Sequence, residues 1–458
     1  MILTELISGT MEKYDFTSKT WVQLMTLDNS NVVQADAQRQ CTNDDCFGIG
    51  GVFSATMNLV VRIPANITSF QVRGCRIKLV SSLAGAIGVY WVTNVQRTGR
   101  IFTLSCHDAL SWADVSSYSD TQAEVVRRVI DYFPTNWAYT IQGWMNGTQP
   151  HLTWIVNRLL FCMMGIPSMI QWTNYSTASW FTYCCADILF GIYHPEGKGE
   201  TDCPRDIFKY LAEAAFGFVY AIPETGSLTL GQFADPKWGV ASIAESEIEY
   251  DSSDFADFTT YMNSIKVIGK GADGTWNSTT FSLSSPNYDK DELFDIVVED
   301  NPFIDGSYRN EIEKGNDGKA FIELLAERYY YAFHRPLEVV QRGYGFLVKP
   351  FKCTVHGQRT FRLGQKVLIQ YRDAYENLQV HDSIITKICW ALNGGQTIMC
   401  CGSDTRAMSY TLRMSKADKV GKDLENHCRA IERRTVGLSQ AEYDALDKYD
   451  SQTLYCII

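Results

Sequence analysis

The chain is 458 residues long, with 45% hydrophobic and 20% charged residues. Those values exclude a disordered or low-complexity protein, and the length calls for about two to four domains. A net charge of −11 excludes a duplex-DNA reader, whose affinity comes from a basic field laid over the phosphates.

The opening, MILTELISGTMEKYDF, shows no basic segment followed by an apolar one, so no secretory signal is expected. The most apolar long window, Trp154 to Ile170, is interrupted by Asn157, Arg158, Gly165 and Pro167. It falls short of the ~20 apolar residues a membrane span needs. A soluble protein made in the cytosol is expected, without stable membrane insertion. In that setting the sequons at Asn66, Asn146, Asn174 and Asn277 carry no meaning.

Up to about residue 112 short alternating runs are broken by Gly, Asn and Pro. SATMNLVVRI (54–63), CRIKLV (75–80), GVYWVTNV (88–95) and RIFTLSCHDA (100–109) read as strands, the last two forming a hairpin across QRTG. Next, Thr121-x-x-Glu124 is a capping box, and the helix it opens carries Val125, Val126, Val129, Ile130 and Phe133 up to Pro134. A second helix over 153–164 is apolar nearly all round. A third, over 204–216, places Ile207, Phe208, Leu211, Ala212 and Ala215 on one face. A hairpin turning at Pro223–Gly226 follows it. Strand texture returns at about 241, a polar stretch (271–318) leads into a helix ended by Pro336, and 361–404 is again strand, turn, strand.

A faint repeat joins the two strand-rich regions. Gly74 precedes Ile77-Lys78-Leu79 and a hairpin turned at Gly99; Gly364 precedes Val367-Leu368-Ile369 and a hairpin turned at Gly394-Gly395. Each hairpin closes on a strand with a cysteine and then an acidic residue. Two copies of one small barrel, each with its insertion, account for this. The fold class expected is α+β, mostly β: two related antiparallel β-barrels with α/β insertions and a C-terminal helix plus extended tail. The boundaries expected are 1–112 for the first barrel and 113–240 for a mixed insertion. The second barrel takes 241–275 and 337–412, with 276–336 inserted, and 413–458 is the helix and tail.

Few residues fall in patterns that carry chemistry. No phosphate-binding glycine loop, GxSxG or HExxH occurs. Among the cysteines only Cys41-x4-Cys46 and Cys184-Cys185 lie close, neither with a second pair at zinc spacing, so buried free thiols are expected. His107 and Asp108 are neighbours on a strand, point to opposite faces and form no base–orienter dyad. No catalytic residue, cofactor or metal is assigned, and a non-enzymatic protein is expected. One acidic feature stands out: at strand period two, Glu245, Glu247, Glu249 and Asp251 share one face. Such a row must face water, as an ordinary exposed strand or as the wall of a water-filled channel. A Ca²⁺ site on Asp251 and Asp254 needs more oxygen ligands than this spacing offers.

Several stretches resemble bacteriophage tail hub proteins. CTNDDCFGIGGVFSATMNLVV (41–61) is similar to their early part, and RIFTLSCHDALSWAD (100–114) to the end of their first barrel, with Cys-His-Asp where a Tyr-Asp segment is usual. CPRDIFKYLAEAAFGFVYAIPETGSLTLGQF (203–233) resembles the family's helix and following hairpin, and FRLGQKVLI (361–369) its second-barrel strand, with Gln365 in place of an acidic residue. Together these cover most of residues 40–405 in the expected order.

The resemblance implies a structural virion protein at the tail tip, synthesised in the host bacterial cytoplasm. It would be the homotrimeric hub that adapts a sixfold tail tube to a threefold tip, with a tail tube or distal tail protein above. Below would sit a tip, spike or receptor-binding protein, with DNA only passing through the channel. Alternatives are a tail-associated peptidoglycan hydrolase and a carbohydrate-binding tail protein. Ala417, Val420, Leu424, His427 and Ile431 follow heptad spacing, a candidate trimer seam or a helix on its own domain. The final GLSQAEYDALDKYDSQTLYCII (437–458) resembles segments at the ends of many phage tail proteins. Leu454, Tyr455, Ile457 and Ile458 are its candidate contacts to the next tip protein.

Overall fold

The computed structural model describes residues 5–15, 17–42, 47–114, 205, 208–209, 212–213, 217–256, 260–270, 276–282, 292–298, 301, 347–373, 375–401, 435–438 and 454–457. The chain divides into two compact units, Met1–Ser403 and Asp404–Ile458.

Three nine-residue strands open the first unit: β1 (Ile7–Asp15), β2 (Thr20–Asp28) and β3 (Val32–Gln40). The short β4 (Gly51–Val52) leads to β5 (Thr56–Arg62), β6 (Arg76–Ser81), β7 (Gly85–Thr98) and β8 (Ile101–His107), where the alternating pattern predicts strands. In β5 the period of two is visible in burial: Met57, Leu59 and Val61 face the core, Thr56, Asn58 and Arg62 the solvent. A one-turn helix α1 (Ser69–Val72), started by a Thr68–Gln71 capping box, feeds β6.

Arg205, Phe208, Lys209, Ala212 and Glu213 are helical, with Phe208 and Ala212 buried and Lys209 exposed, as the predicted apolar stripe requires. β9 (Gly217–Ala221) and β10 (Leu228–Gln232) form the predicted hairpin, its turn closed by Ile222 N–H to the Ser227 carbonyl at 2.8 Å. β11 (Val240–Ile243), β12 (Asp254–Phe255), β13 (Thr260–Lys270), β14 (Trp276–Ser282) and β15 (Glu292–Val298) come next. β14 and β15 lie inside the polar stretch 271–318 and flank β13. β14 (WNSTTFS) is largely polar, whereas β15 (ELFDIVV) is a short apolar run enclosed by polar segments, its β-branched Ile296, Val297 and Val298 suited to a pleated surface.

The unit ends with β16 (Phe351–Val355), β17 (Lys366–Arg372), β18 (Leu378–Ile384), β19 (Lys387–Ala391) and β20 (Gln396–Cys400). In the second unit β21 (Thr435–Leu438) pairs in parallel with β22 (Leu454–Ile457).

Two stretches of the first unit stand on one hydrogen-bonded frame. Gly74 and Gly364 both hold φ at +74°, a left-handed conformation that glycine enters without a Cβ clash. Gly74 N–H donates to the Val92 carbonyl, and Val92 N–H returns a bond to Cys75, both at 2.9 Å. Gly364 N–H donates to Ile385 at 2.7 Å, and Ile385 N–H returns a bond to Gln365 at 2.9 Å. One residue further on, the Thr93 hydroxyl donates to the Ser105 carbonyl at 3.0 Å and the Thr386 hydroxyl to Met399 at 3.2 Å. From these anchors β6 corresponds to β17, β7 to β18 and β19 together, β8 to β20, β5 to β16 and β3 to β12. Cys106 opposite Met57 thus matches Cys400 opposite Phe351. The flanking strand differs: β1 runs antiparallel to β6, whereas β11 runs parallel to β17.

One eleven-stranded sheet runs β12-β16-β20-β19-β3-β5-β8-β7-β6-β1-β2, so strands of both copies share it. The mostly-β expectation holds, but neither predicted barrel closes among the described strands. The physical reason lies at β19: its free side pairs antiparallel with β3 of the other copy, which extends the ladder instead of curling it shut. The core beneath is built from Met11, Met57, Leu59, Ile77, Leu79, Phe102 and Leu104, and Trp390 enters it from the second copy.

Candidate assembly interface

The acidic row predicted from strand alternation is absent. Glu245–Glu247 and Tyr250–Ser252 form two successive 3-10 turns, and β12 begins only at Asp254. Two of the four carboxylates are held by arginines distant in sequence. Arg372 Nε donates to Glu245 at 2.6 Å, and Arg359 binds Glu247, whose other oxygen accepts Ala244 N–H at 2.8 Å. A flat row of four like charges repels itself; the turns rotate the carboxylates apart and bring two of them to cations. Glu249 and Asp251 remain exposed, as does Asp254.

The junction between the copies is the best-built polar site in the first unit. β19 and β3 meet in the register Cys389–Gln38, Trp390–Ala37 and Ala391–Asp36. It is extended by Cys41 N–H to the Thr386 carbonyl at 2.9 Å and Leu392 N–H to Ala35 at 2.8 Å. Trp390 Nε1 donates to Gln358 Oε1 at 2.8 Å and to Glu5 Oε1 at 3.1 Å. The Glu5 carboxyl group, 2% exposed, also accepts the Ser81 hydroxyl and Asn393 N–H, so a polar group taken out of water keeps hydrogen-bond donors on both oxygens. Arg39 Nη2 adds a bond to the Phe361 carbonyl at 3.1 Å. Sequence reasoning missed Glu5, Trp390, Gln358 and Arg39. The available signal was a tryptophan inside an alternating strand, which needs a partner for its indole N–H.

Among the described strands the corresponding positions elsewhere have no such partner. Residues Thr93, Asn94, Gln96, Arg97 and Thr98 of β7 are exposed, whereas Thr386 and Trp390, the counterparts of Thr93 and Arg97, are buried. β7 pairs with β6 through its first half and with β8 through its second, and no described strand takes the other flank of that second half. β12, the counterpart of β3, ends the sheet.

Other predicted groups have structural roles. Asp108 is buried; its carboxylate accepts the Ser54 hydroxyl at 2.7 Å and Leu110 N–H at 3.0 Å, starting the 3-10 turn Ala109–Asp114. Burial pushes its pKa up to about 6. Cys41, Cys75, Cys106, Cys353, Cys400 and Cys401 are buried free thiols; burial raises Cys75 to about 11 and Cys353 to about 12, which keeps them unreactive. Among the described residues no three His, Cys, Asp or Glu side chains converge as a metal site requires, and no helix is long and apolar enough to cross a membrane. Leu454, Tyr455 and Ile457 lie on β22, beside β21. Ile458, the seam residues Ala417, Val420, Leu424, His427 and Ile431, the helices predicted over 121–133 and 153–164, Cys46 and Cys184-Cys185 lie outside the described residues.

Neither a family model nor a curated protein sequence matches the chain. Among solved structures, the 43 kDa tail protein of prophage MuSo2 from Shewanella oneidensis is similar, with 12% identity and a TM-score of 0.42 over 86% of this chain and 97% of that one. The prophage tail protein gp18 from Listeria monocytogenes EGD-e is similar with 11% identity and a TM-score of 0.41, over 90% and 99% of the two chains. A chain of the phage P2 baseplate in its activated conformation aligns with 11% identity and a TM-score of 0.28, over 87% and 99%.

Proposed function

We propose that this chain is a structural virion protein: the homotrimeric hub at the distal end of a phage tail or phage-like injection machine. In this role it adapts a sixfold tail tube to a threefold tip and surrounds the passing DNA without binding it. The observation that carries the reading is the repeated frame. Gly74, Val92 and Thr93 in one copy, and Gly364, Ile385 and Thr386 in the other, make the same backbone bonds. Three chains with two such copies each present six similar units to a sixfold tube. The hub-like segments fall on this frame: 41–61 runs into β5, 100–114 contains β8, and 361–369 opens β17.

In the same reading Val420, Leu424, His427 and Ile431 form a trimer seam, and Leu454, Tyr455, Ile457 and Ile458 contact the next tip protein. The role is structural and needs no catalytic group. Light scattering with averaged electron images of the purified full-length chain tests it. The expected result is a threefold ring with a central opening. A monomer that also fails to join a tail-tube protein in a pull-down ends the proposal.

A further inference from the structure

We propose that the open flank of β7 and the β12 edge are two halves of one interface, each closed by a second copy of this chain. The proposal rests on the hub reading only in requiring that copies of the chain meet. Its ground is the intramolecular junction. Within one chain β19, the second part of the second copy's long strand, is covered by β3 of the first copy. The first copy's equivalent of β19 is the second half of β7, and the second copy's equivalent of β3 is β12. Both lack a described partner on the matching side. Among its described strands each chain therefore carries one satisfied junction and the two unsatisfied halves of another.

The frame also specifies the register. Asp36 and Ala37 lie opposite Asn58 and Met57, as Asp254 and Phe255 lie opposite Lys352 and Phe351. Asp254 and Phe255 thus stand where Asp36 and Ala37 stand. In β7, Arg97 stands where Trp390 stands, since Arg97 faces Phe102 as Trp390 faces Gln396. Transferring the observed pairs Trp390–Ala37, Ala391–Asp36 and Cys389–Gln38 places Arg97 opposite Phe255, Thr98 opposite Asp254 and Gln96 opposite Ala256.

Charge argues for the same match. The β7 flank and its turn expose Arg97 and Arg100, while the approach to β12 exposes Glu249, Asp251 and Asp254. The acidic stretch thus complements the basic tip of another copy. Because the two halves differ, the contact is head-to-tail, the type that closes rings.

The test replaces Gln96 with the photo-crosslinking residue p-benzoylphenylalanine in the full-length chain. Equal amounts of unlabelled and heavy-isotope-labelled protein are mixed, irradiated and mapped by peptide mass spectrometry. Isotopically mixed crosslinks between the β7 peptide and the peptide holding residues 253–256 are expected. The reciprocal probe at Asp254 should capture the β7 peptide. Adding Arg97→Glu and Arg100→Glu should lower the yield about tenfold, the scale of replacing attraction by like-charge contact. Crosslinks confined to one chain, crosslinks to other segments, or no crosslink between chains would overturn the interface. Light scattering on the same samples separates the two readings: a ring crosslinked elsewhere removes this interface and leaves the hub standing.

Discussion

Trp390 and Arg97 occupy the same station in the two copies of the β unit, and one is buried while the other stands in water. The backbone bonds around them are shared down to a threonine hydroxyl that caps the same carbonyl. What differs is the strand alongside: β3 covers Trp390, and no described strand covers Arg97. A repeated backbone frame therefore does not require repeated side chains. The residue at each station follows what lies next to it, an indole where another strand and a buried carboxylate arrive, a guanidinium where the flank meets solvent.

The sharpest way to break this comparison is to truncate both side chains. Trp390→Ala should cost about 3–5 kcal/mol, through the lost ring and the lost indole hydrogen bonds to Glu5 and Gln358. Arg97→Ala should stay within about 0.5 kcal/mol for the unassembled chain, as for an exposed site. Denaturant midpoints of the full-length protein decide it. Equal costs would mean that the β7 flank is covered within the chain.

The copies also differ in the buried group that titrates. His381, in the second copy, sits among Phe255, Phe351 and Tyr371 with ring centroids at 5.6, 5.5 and 6.0 Å, and burial lowers its pKa to about 4 from 6.5. Between those values the unfolded chain holds the extra proton, so this contribution is full above pH 6.5 and is lost as pH falls. Asp108, in the first copy, has its pKa raised to about 6 from 3.8, so the folded chain holds the extra proton and stability falls as pH rises through that window. Each effect is about 3 kcal/mol and they oppose one another. Asp108→Asn should therefore unmask a loss of about 3 kcal/mol between pH 6.5 and 4, and His381→Leu a change of opposite slope. Unfolding measured across that range in all three proteins checks it. Parallel curves would show that neither group titrates as its burial dictates.

A smaller contrast tests the frame itself. Gly74→Ala and Gly364→Ala both force a Cβ into the left-handed region, at about 1–2 kcal/mol each. At Gly364 the added carbon would also meet the Gln232 carbonyl oxygen at 2.7 Å, whereas at Gly74 its only near neighbour is Lys13 Nζ at 3.9 Å. Gly364→Ala should cost about 1–3 kcal/mol more, read from the same midpoints. Equal losses would place the whole penalty in φ and none in packing.

Much of the framework was legible in the residues. Alternation located β5 to β8 and marked 361–404 as strand, turn, strand, where four strands stand; the glycines at 74, 99, 364 and 394–395 marked the repeat, and Pro223–Gly226 marked a hairpin. The acidic stretch shows where such reading fails. Its period of two predicted a strand, but the local pattern could not register Arg359 and Arg372, which lie more than a hundred residues later and draw Glu247 and Glu245 into turns. β14 was hidden for the opposite reason, since ladder bonds with β13 hold a strand that is largely polar, and β15 is a short apolar run enclosed by polar segments.

The sequence by itself determined the local grammar: which residues extend, where glycine permits a positive φ, and that one β unit occurs twice. These follow from steric limits and hydrogen-bond periods that act over a few residues. Only the tertiary structure decided that the copies join through β19 and β3, that Glu5 reaches Trp390, and that the ladder of described strands ends at β12. Those outcomes depend on strands far apart in the chain competing for the same edge, and no local spacing records which of them arrives.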